Sequence, residues 1–491
     1  MDKGSAEAAS NLRFVIIGAG MAGLLAGVRL KQRGDTNFVI YEKGDSVGGT
    51  WRENSYPGLS CDTPAHSYAY SFEFNPDWSA FYAPGPEIKR YFEGVAAKYE
   101  IYEHIQFGTE VVAGDYQAGQ WHIETSRGQR DVADVLIAAS GVLHHPNVPD
   151  IPGLADFKGP AFHSARWDHS IDMTDKVVGV IGAGSTGVQI VSALAGRSAG
   201  VTHLMRTPQW IMPCPDLKYS DEERAAFRSD PSLIENIRSG PEAQARRGRF
   251  LAAIVDKNSP ELKEIQAVVE NNLEDSIKDP ELREKLRPNY VAACKRLVFS
   301  PHYYDAVQKP GVTVETGGIE RVTADGIRMR DGSFHRLDVI VLATGFKVDQ
   351  FVRPMKITGR DGADLDKFWQ PNPRAYYAVT VPEFPNFYLL NGPTGPVGNF
   401  SLVDIAERQF NYMDQLVELQ RQGKAKEISV KAEALASYEG RRDAQAMNTV
   451  FAAGCQSWYL DAKGVPQVWP WPYEYFMEVM DQPKLDDYEI R

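Results

Sequence analysis

The residues of this 491-residue chain that first suggest chemistry are two glycine clusters. Gly18-Ala-Gly20-Met-Ala-Gly23 follows the run Leu-Arg-Phe-Val-Ile-Ile at 12–17 and precedes an apolar stretch, Leu24 to Leu30. A second apolar run, Phe38 to Tyr41, ends at Glu42, 19 residues after Gly23. That order predicts strand, tight turn, helix and strand, with an acid closing the unit, which is a dinucleotide-binding arrangement. The first glycine makes the turn, and the second lets a pyrophosphate reach the backbone. The free N–H groups at the helix start attract that anion. The Glu42 carboxylate suits a ribose with a free 2′-hydroxyl, so this unit is expected to bind FAD or NAD.

The pattern recurs. Val177 to Ile181 is a predicted strand, followed by Gly182-Ala-Gly184-Ser-Thr-Gly187, a helix over Val188 to Leu194 and a strand over Val201 to Met205. At the acid's place, again 19 residues after the third glycine, stands Arg206, then Thr207. A cation there suits a 2′-phosphate. Gly182, Gly184, Ser185, Thr186, Gly187, Gln189, Arg206 and Thr207 are therefore assigned to NADP.

Other chemistries find no support. The chain has no HExxH, no GxxxxGK and no CxxxxC redox pair beside the first glycine cluster. Ser185 lies in no GxSxG elbow. Cys61, Cys214, Cys294 and Cys455 are widely scattered, without metal-like spacing, so no metal site and no disulfide framework is expected.

The elements that must position these residues show an internal echo. Asp134-Val-Leu-Ile-Ala-Ala-Ser-Gly141 resembles Asp338-Val-Ile-Val-Leu-Ala-Thr-Gly345, and each follows one glycine cluster. The intervals are 141 − 18 = 123 and 345 − 182 = 163 residues, so the second unit carries about 40 more. The excess is expected as a charged helical insertion between Pro215 and Pro288, with helices near Pro260–Asn272 and Pro280–Leu286. Pro146–Pro152 and Thr344–Lys347 are expected to be the crossings between units.

Composition sets the class. Hydrophobic residues make up 43% and charged residues 24%, an ordinary globular mix. The net charge, 53 − 65 = −12, argues against nucleic acid and against an anionic membrane surface. No apolar run is long enough for a membrane span. Met1 to Ser10 lacks the pattern of a secretory signal. A reduced, cytoplasmic protein is expected.

Further motifs carry a family resemblance. Phe157-x-Gly159-xxx-His163-xxx-Trp167-Asp168 lies between the glycine clusters, and Gly49-x-Trp51-xxxx-Tyr56-Pro57-Gly58-xxx-Asp62 follows the first. Cys294-Lys295-Arg296, Tyr303-Tyr304 and Gly454-Cys-x-Ser457-Trp458-Tyr459 come later. Together, from about residue 13 to 475, they resemble the Baeyer–Villiger monooxygenases. The resemblance implies an α/β fold of two Rossmann-like domains: a discontinuous FAD domain, 1–150 plus 346–491, and an NADP domain, 151–345, with the insertion at about 215–290. It implies FAD and NADPH as cofactors, with O2 and a small ketone as substrates, and oxygen insertion through a C4a-peroxyflavin to an ester or lactone.

By the same resemblance Arg296 is the active-site cation, and Asp62 orients it. An arginine suits the task because it stays charged when desolvated. Lys295 joins Arg206 at the 2′-phosphate, and Trp458 meets the nicotinamide end. Gly18, Gly20, Gly23, Glu42, Gly49, Thr50, Trp51, Asp62, Tyr68 and Val111 meet FAD. His163 is expected to act as a hinge rather than a base. Two alternatives remain open: a flavin monooxygenase oxidising N or S, and a two-nucleotide NADPH oxidase or sensor without oxygenation. The identity of the ketone and the oligomeric state are not readable. Loops near Val397–Phe400, Phe351–Met355 and Trp469–Tyr475, with the insertion, are expected to shape the substrate site.

Overall fold

The computed structural model describes residues 12–396, 398 and 400–491. Met1–Ser10, read above for a leader, and Val397, in the first of the substrate loops, lie outside the described residues.

Two five-stranded parallel sheets dominate. In the first, strands run in the order 387–389, 135–138, 14–17, 38–41, 105–106. In the second the order is 312–315, 200–204, 177–181, 339–342, 161–163. In each, the strand before the glycine turn is central, between the next strand and the closing small-residue strand. Phe14–Ile17, Phe38–Tyr41 and Val135–Ala138 are buried throughout. Strands covered on both faces need no polar alternation, which is why their sequences read as continuous apolar runs. An antiparallel meander precedes each closing strand, at 111–133 and 319–336.

The helices after the turns are Met21–Arg33 and Ser185–Leu194. Both glycine turns depend on missing side chains. Gly18 has φ +99° and Gly182 φ +124°, in the left-handed region that favours glycine. A Cβ on Gly23 would overlap the carbonyl oxygen of Gly18, and one on Gly187 that of Gly182.

The insertion is five helices: Asp221–Ser229, Pro231–Ser239, Pro241–Val255, Pro260–Ser276 and Pro280–Leu286. Four begin with proline, whose fixed φ and missing N–H cost nothing in a first turn. Ser220, Asp230, Ser259 and Asp279 cap four of the starts with side-chain acceptors. The insertion folds back over the first glycine unit, where Arg238 donates to the carbonyls of His66 and Ala69 at 2.5 and 3.0 Å.

The crossings run side by side. Asn147 N donates to Gly345 O and Lys347 N to His145 O, both at 2.9 Å. Beyond them the chain returns to the first sheet through 387–389. Helix Leu402–Arg421 then packs on Met21–Arg33. Arg421 pairs there with Asp35 at 2.7 Å and Asp414 at 2.8 Å. Among the described residues no helix is long and apolar enough to cross a membrane.

Candidate functional site: two nucleotide cradles and an arginine

The first cradle is an open cleft whose wall includes Gly18, Gly20, Glu42, Gly49, Trp51 and Tyr68. Thr50 and Val111 line it as well. Its floor is the start of helix Met21–Arg33, which has no capping side chain. The first-turn N–H groups therefore remain available to an anion. Glu42 is buried at the end of its strand. One of its oxygens accepts from Ala19 N at 2.8 Å, and the other from Gly44 N and Arg52, each at 2.7 Å. Arg52 was not anticipated, although it lies only three residues beyond Gly49. It neutralises a carboxylate that would otherwise face pyrophosphate as a like charge. On the opposite wall Trp51 Nε1 donates to Tyr68 Oη at 3.2 Å. Burial raises the Tyr68 phenol well above its usual range, so it stays protonated. A long cleft joining a helix N-terminus, an acid and two aromatic rings fits an extended dinucleotide such as FAD.

The second cradle has the same plan. Helix Ser185–Leu194 also begins without a capping side chain. A Cβ added at Gly184 would meet nothing within 4 Å, so this glycine faces open space beside the helix start. Ser185 and Thr186 are half-buried in the first turn. Arg206, exposed, and Thr207, half-buried, follow the strand. Lys295 approaches them from a distant segment. Burial first, and then the Arg206 charge, lowers the Lys295 pKa. Lys295 Nζ lies 4.6 Å from the Tyr290 ring centroid. No ion pair among the described residues engages either cation, and two unneutralised cations together suit a phosphate dianion.

Gln189 lies where the second cradle's helix meets the segment after the first cradle. Its side chain accepts from Tyr56 Oη at 3.0 Å and donates to Ser60 O, also at 3.0 Å. It thus ties the second cradle's helix to the segment following the first cradle. Gly58 sits in the same junction, where a Cβ would lie 2.6 Å from Gln189 O. Burial pushes the Tyr56 phenol up to about 12, keeping its donor proton in place.

That junction positions Asp62, four residues beyond Gly58. Arg296 donates to it through two nitrogens, at 2.7 and 3.2 Å. The Asp62 charge raises the Arg296 pKa above an already high value, so the guanidinium is permanently cationic. Its side chain remains 41% exposed, with Asp62 at 16%, so one face of the pair opens to incoming molecules. Tyr459, buried, lies beside Arg296, its phenol oxygen and the guanidinium both bordering Gly398, and was given no role by the sequence. Gly398 (φ +88°) completes the surround; a Cβ there would lie 3.5 Å from the Arg296 guanidinium.

Trp458 is 48% exposed, its ring against Tyr459 at 3.9 Å. His163 is fully engaged: Nδ1 accepts from Ala165 N at 3.1 Å, and Nε2 lies 2.9 Å from Gly345 O. Its proton is thereby fixed on Nε2. It ties strand 161–163 to the second crossing at Gly345 and has no free lone pair for base chemistry.

One expectation is overturned. Cys294 and Cys455 form a disulfide, with Cα atoms 6.2 Å apart across 161 residues. Cys61 and Cys214 are free. Pairing depends on Cβ proximity, which the tertiary fold creates and residue spacing does not reveal.

Comparison with known proteins bears on this geometry. Residues 15–222 match the pyridine nucleotide-disulphide oxidoreductase family. An uncharacterised monooxygenase of Mycobacterium tuberculosis is 42% identical, covering 97% of this chain and 95% of its own. A Baeyer–Villiger monooxygenase of Streptomyces coelicolor is 38% identical, over 98% of this chain and 93% of its own. The chain belongs to the Baeyer–Villiger monooxygenase family. The crystal structure of cyclohexanone monooxygenase from Rhodococcus sp. Phi1, bound to NADP+, superposes with a TM-score of 0.86 at 28% identity. It covers 99% of this chain and 100% of that one. The α/β fold with two dinucleotide-binding units is that of the family. The disulphide-oxidoreductase match covers only its shared nucleotide-binding part.

Proposed function

We propose that this protein is an FAD-containing, NADPH-dependent Baeyer–Villiger monooxygenase that converts a ketone and O2 to an ester or lactone. The observation that carries this reading is the Arg296–Asp62 pair, half-open to solvent and carried on segments that follow the two cradles. FAD, when bound, takes hydride from NADPH and activates O2, supplying the oxygen nucleophile. Gly18, Gly20 and Gly23 with the first helix start would hold its pyrophosphate, and Glu42 its ribose. Gly49, Thr50, Trp51 and Tyr68 would lie along the ring end, with Val111 near the adenine. Gly182, Gly184, Ser185, Thr186 and Gly187 would hold the NADP pyrophosphate, Arg206, Thr207 and Lys295 the 2′-phosphate, and Trp458 the nicotinamide end. Gln189 acts on this nucleotide indirectly, by fixing the helix that binds it.

Arg296 holds negative charge on the attacking oxygen and on the ketone oxygen as the carbonyl opens. Preorganised charge of this kind is worth most where water is excluded. Asp62 and Tyr459 keep the guanidinium aimed. An N- or S-oxidising enzyme transfers electrophilic oxygen and has no need of a fixed cation, so the pair favours ketone chemistry. The paired, antiparallel crossings at 146–152 and 344–347 support an FAD domain of 1–150 plus 346–491 and an NADP domain of 151–345. We place the enzyme in the cytoplasm, in keeping with its acidic, ordinary composition.

The test is NADPH oxidation against a panel of cyclic, linear, aromatic and steroid ketones, with product analysis. Ester or lactone formed in proportion to NADPH is the expected result. Hydrogen peroxide alone with every ketone, or oxidation confined to amines and sulfides, would exclude it.

A further inference from the structure

The disulfide lies at a telling place. Cys294 is two residues before Arg296, and Cys455 is four residues before Tyr459, which borders that arginine at Gly398. The same pair of segments therefore meets twice, at the disulfide and where Tyr459 and Arg296 both border Gly398. Cys294, Cys455, Phe451 and Tyr459 share one small apolar cluster with residues of the insertion. Ala293, immediately before Cys294, has φ +64°, a conformation that an alanine adopts only when its surroundings impose it. The arginine segment is thus held from outside. Access is nevertheless close: both sulfur-bearing residues are buried, yet Gly454, Gln456 and Trp458 around Cys455 are exposed. A short excursion of this loop would bring solvent to the bond.

We propose that Cys294–Cys455 is a redox-modification site, a reversible clamp that couples the thiol state of the enzyme to the aim of Arg296. Oxidised, it holds the arginine segment against the Tyr459 loop, and NADPH oxidation is coupled to oxygen insertion. Reduced, the loop and the arginine part, and NADPH is spent on hydrogen peroxide. A dithiol reductant opens the clamp: one thiolate attacks the disulfide, the second resolves the mixed disulfide, and two cysteine thiols are left beside one oxidised dithiol. Hydrogen peroxide closes it: one thiolate takes an oxygen to give a sulfenic acid and releases hydroxide. The second thiol then displaces water from the sulfenic acid as the S–S bond forms. The product of uncoupled turnover would thus restore coupling. In a reducing compartment a disulfide beside a functional residue is more often redox-responsive than structural. The inference rests on Arg296 being the active-site cation.

The test uses the full-length holoenzyme in three states: as purified, reduced with dithiothreitol and desalted anaerobically, and re-oxidised with hydrogen peroxide. Each state is alkylated under denaturing conditions for intact mass, followed by hydrogen exchange, and assayed for ester formed per NADPH with catalase present. Two alkylated cysteines are expected in the oxidised states and four in the reduced one. Reduction should speed exchange in peptides covering 290–300 and 450–460 and lower coupling at least fivefold. Cys294→Ser and Cys455→Ser should both behave as the reduced enzyme and ignore dithiothreitol. Arg296→Ala should keep the mass and exchange responses, which separates the clamp from the arginine's role. Four alkylated cysteines after peroxide treatment would overturn the clamp. Faster exchange with unchanged coupling would overturn its connection to Arg296.

Discussion

Arg296 is held by two hydrogen bonds to Asp62, with the Tyr459 phenol nearby across Gly398, yet its side chain stays 41% exposed. The guanidinium is thus oriented and left open. Removing a donor aimed at developing charge costs roughly 10²–10³-fold in rate. The Arg296→Ala variant is therefore expected to lose ester formation by that factor while still bleaching bound flavin with NADPH. Stopped-flow kinetics of the two half-reactions check this, and Arg296→Lys should recover only part, because an ammonium cannot match the planar fork. Arg206→Ala should weaken NADPH binding by about 10- to 100-fold, the worth of one charge-assisted contact, and leave NADH almost unchanged. Equal kinetics with both coenzymes in the unmutated enzyme would refute the 2′-phosphate assignment. Glu42→Ala should lose FAD during dilution. It also strands two backbone donors and leaves Arg52 with only Ser46 O and Glu53, so the thermal midpoint of the FAD-free protein should fall as well.

Within the second cradle's helix, two glycines three residues apart do different work. Gly187 supports packing, since a Cβ would overlap Gly182 O. Gly184 has open space, which a bound phosphate would fill. Gly187→Ala is accordingly expected to destabilise by about 1–3 kcal/mol through overpacking. Gly184→Ala should melt normally and bind NADPH poorly. Thermal melts with and without NADP+ distinguish them, and a normal melt with normal NADP+ stabilisation for Gly184→Ala would count against the cradle. The proline-started helices of the insertion were legible because proline and a capping side chain mark a helix start locally. Their docking through Arg238 to the His66 and Ala69 carbonyls was not, because it joins segments some 170 residues apart.

Across the molecule, buried histidines tie stability to pH. His66, His144 and His203 are pushed down to about 4, foremost by burial, and His163 is lowered for the same reason. A lowered value in the folded state means that the unfolded chain binds more protons below the ordinary imidazole value of about 6.5. Their contribution is therefore complete above that pH and is lost as pH falls toward 4. The melting temperature should decline over this window. His66 packs against Tyr219 and Phe227, and its ring nitrogens are buried without a hydrogen bond. His66→Phe should make the decline shallower, and an unchanged slope would contradict the assignment. His163 adds a mechanical consequence. Protonating Nδ1 removes its bond from Ala165 N, so the 164–166 turn that this bond caps should loosen over the same range, while Nε2 goes on donating to Gly345 O.

The local sequence by itself determined the repeated unit: apolar run, glycine turn, helix, and an acid or a base closing it. Each of those features acts over a few residues, through backbone sterics, helix-end charge and burial on both faces of a parallel strand. Family motifs added Arg296 and Asp62 as a pair, although 234 residues separate them. Only the tertiary structure decided which distant groups meet. It set Arg52 on Glu42, Tyr56 on Gln189, His163 on Gly345, Tyr459 on Arg296 and Cys294 on Cys455. Such contacts leave no periodic trace along the chain, because a hydrogen bond or disulfide needs only proximity and direction in space. Those are set by how the two sheets, the insertion and the returning C-terminal segment pack.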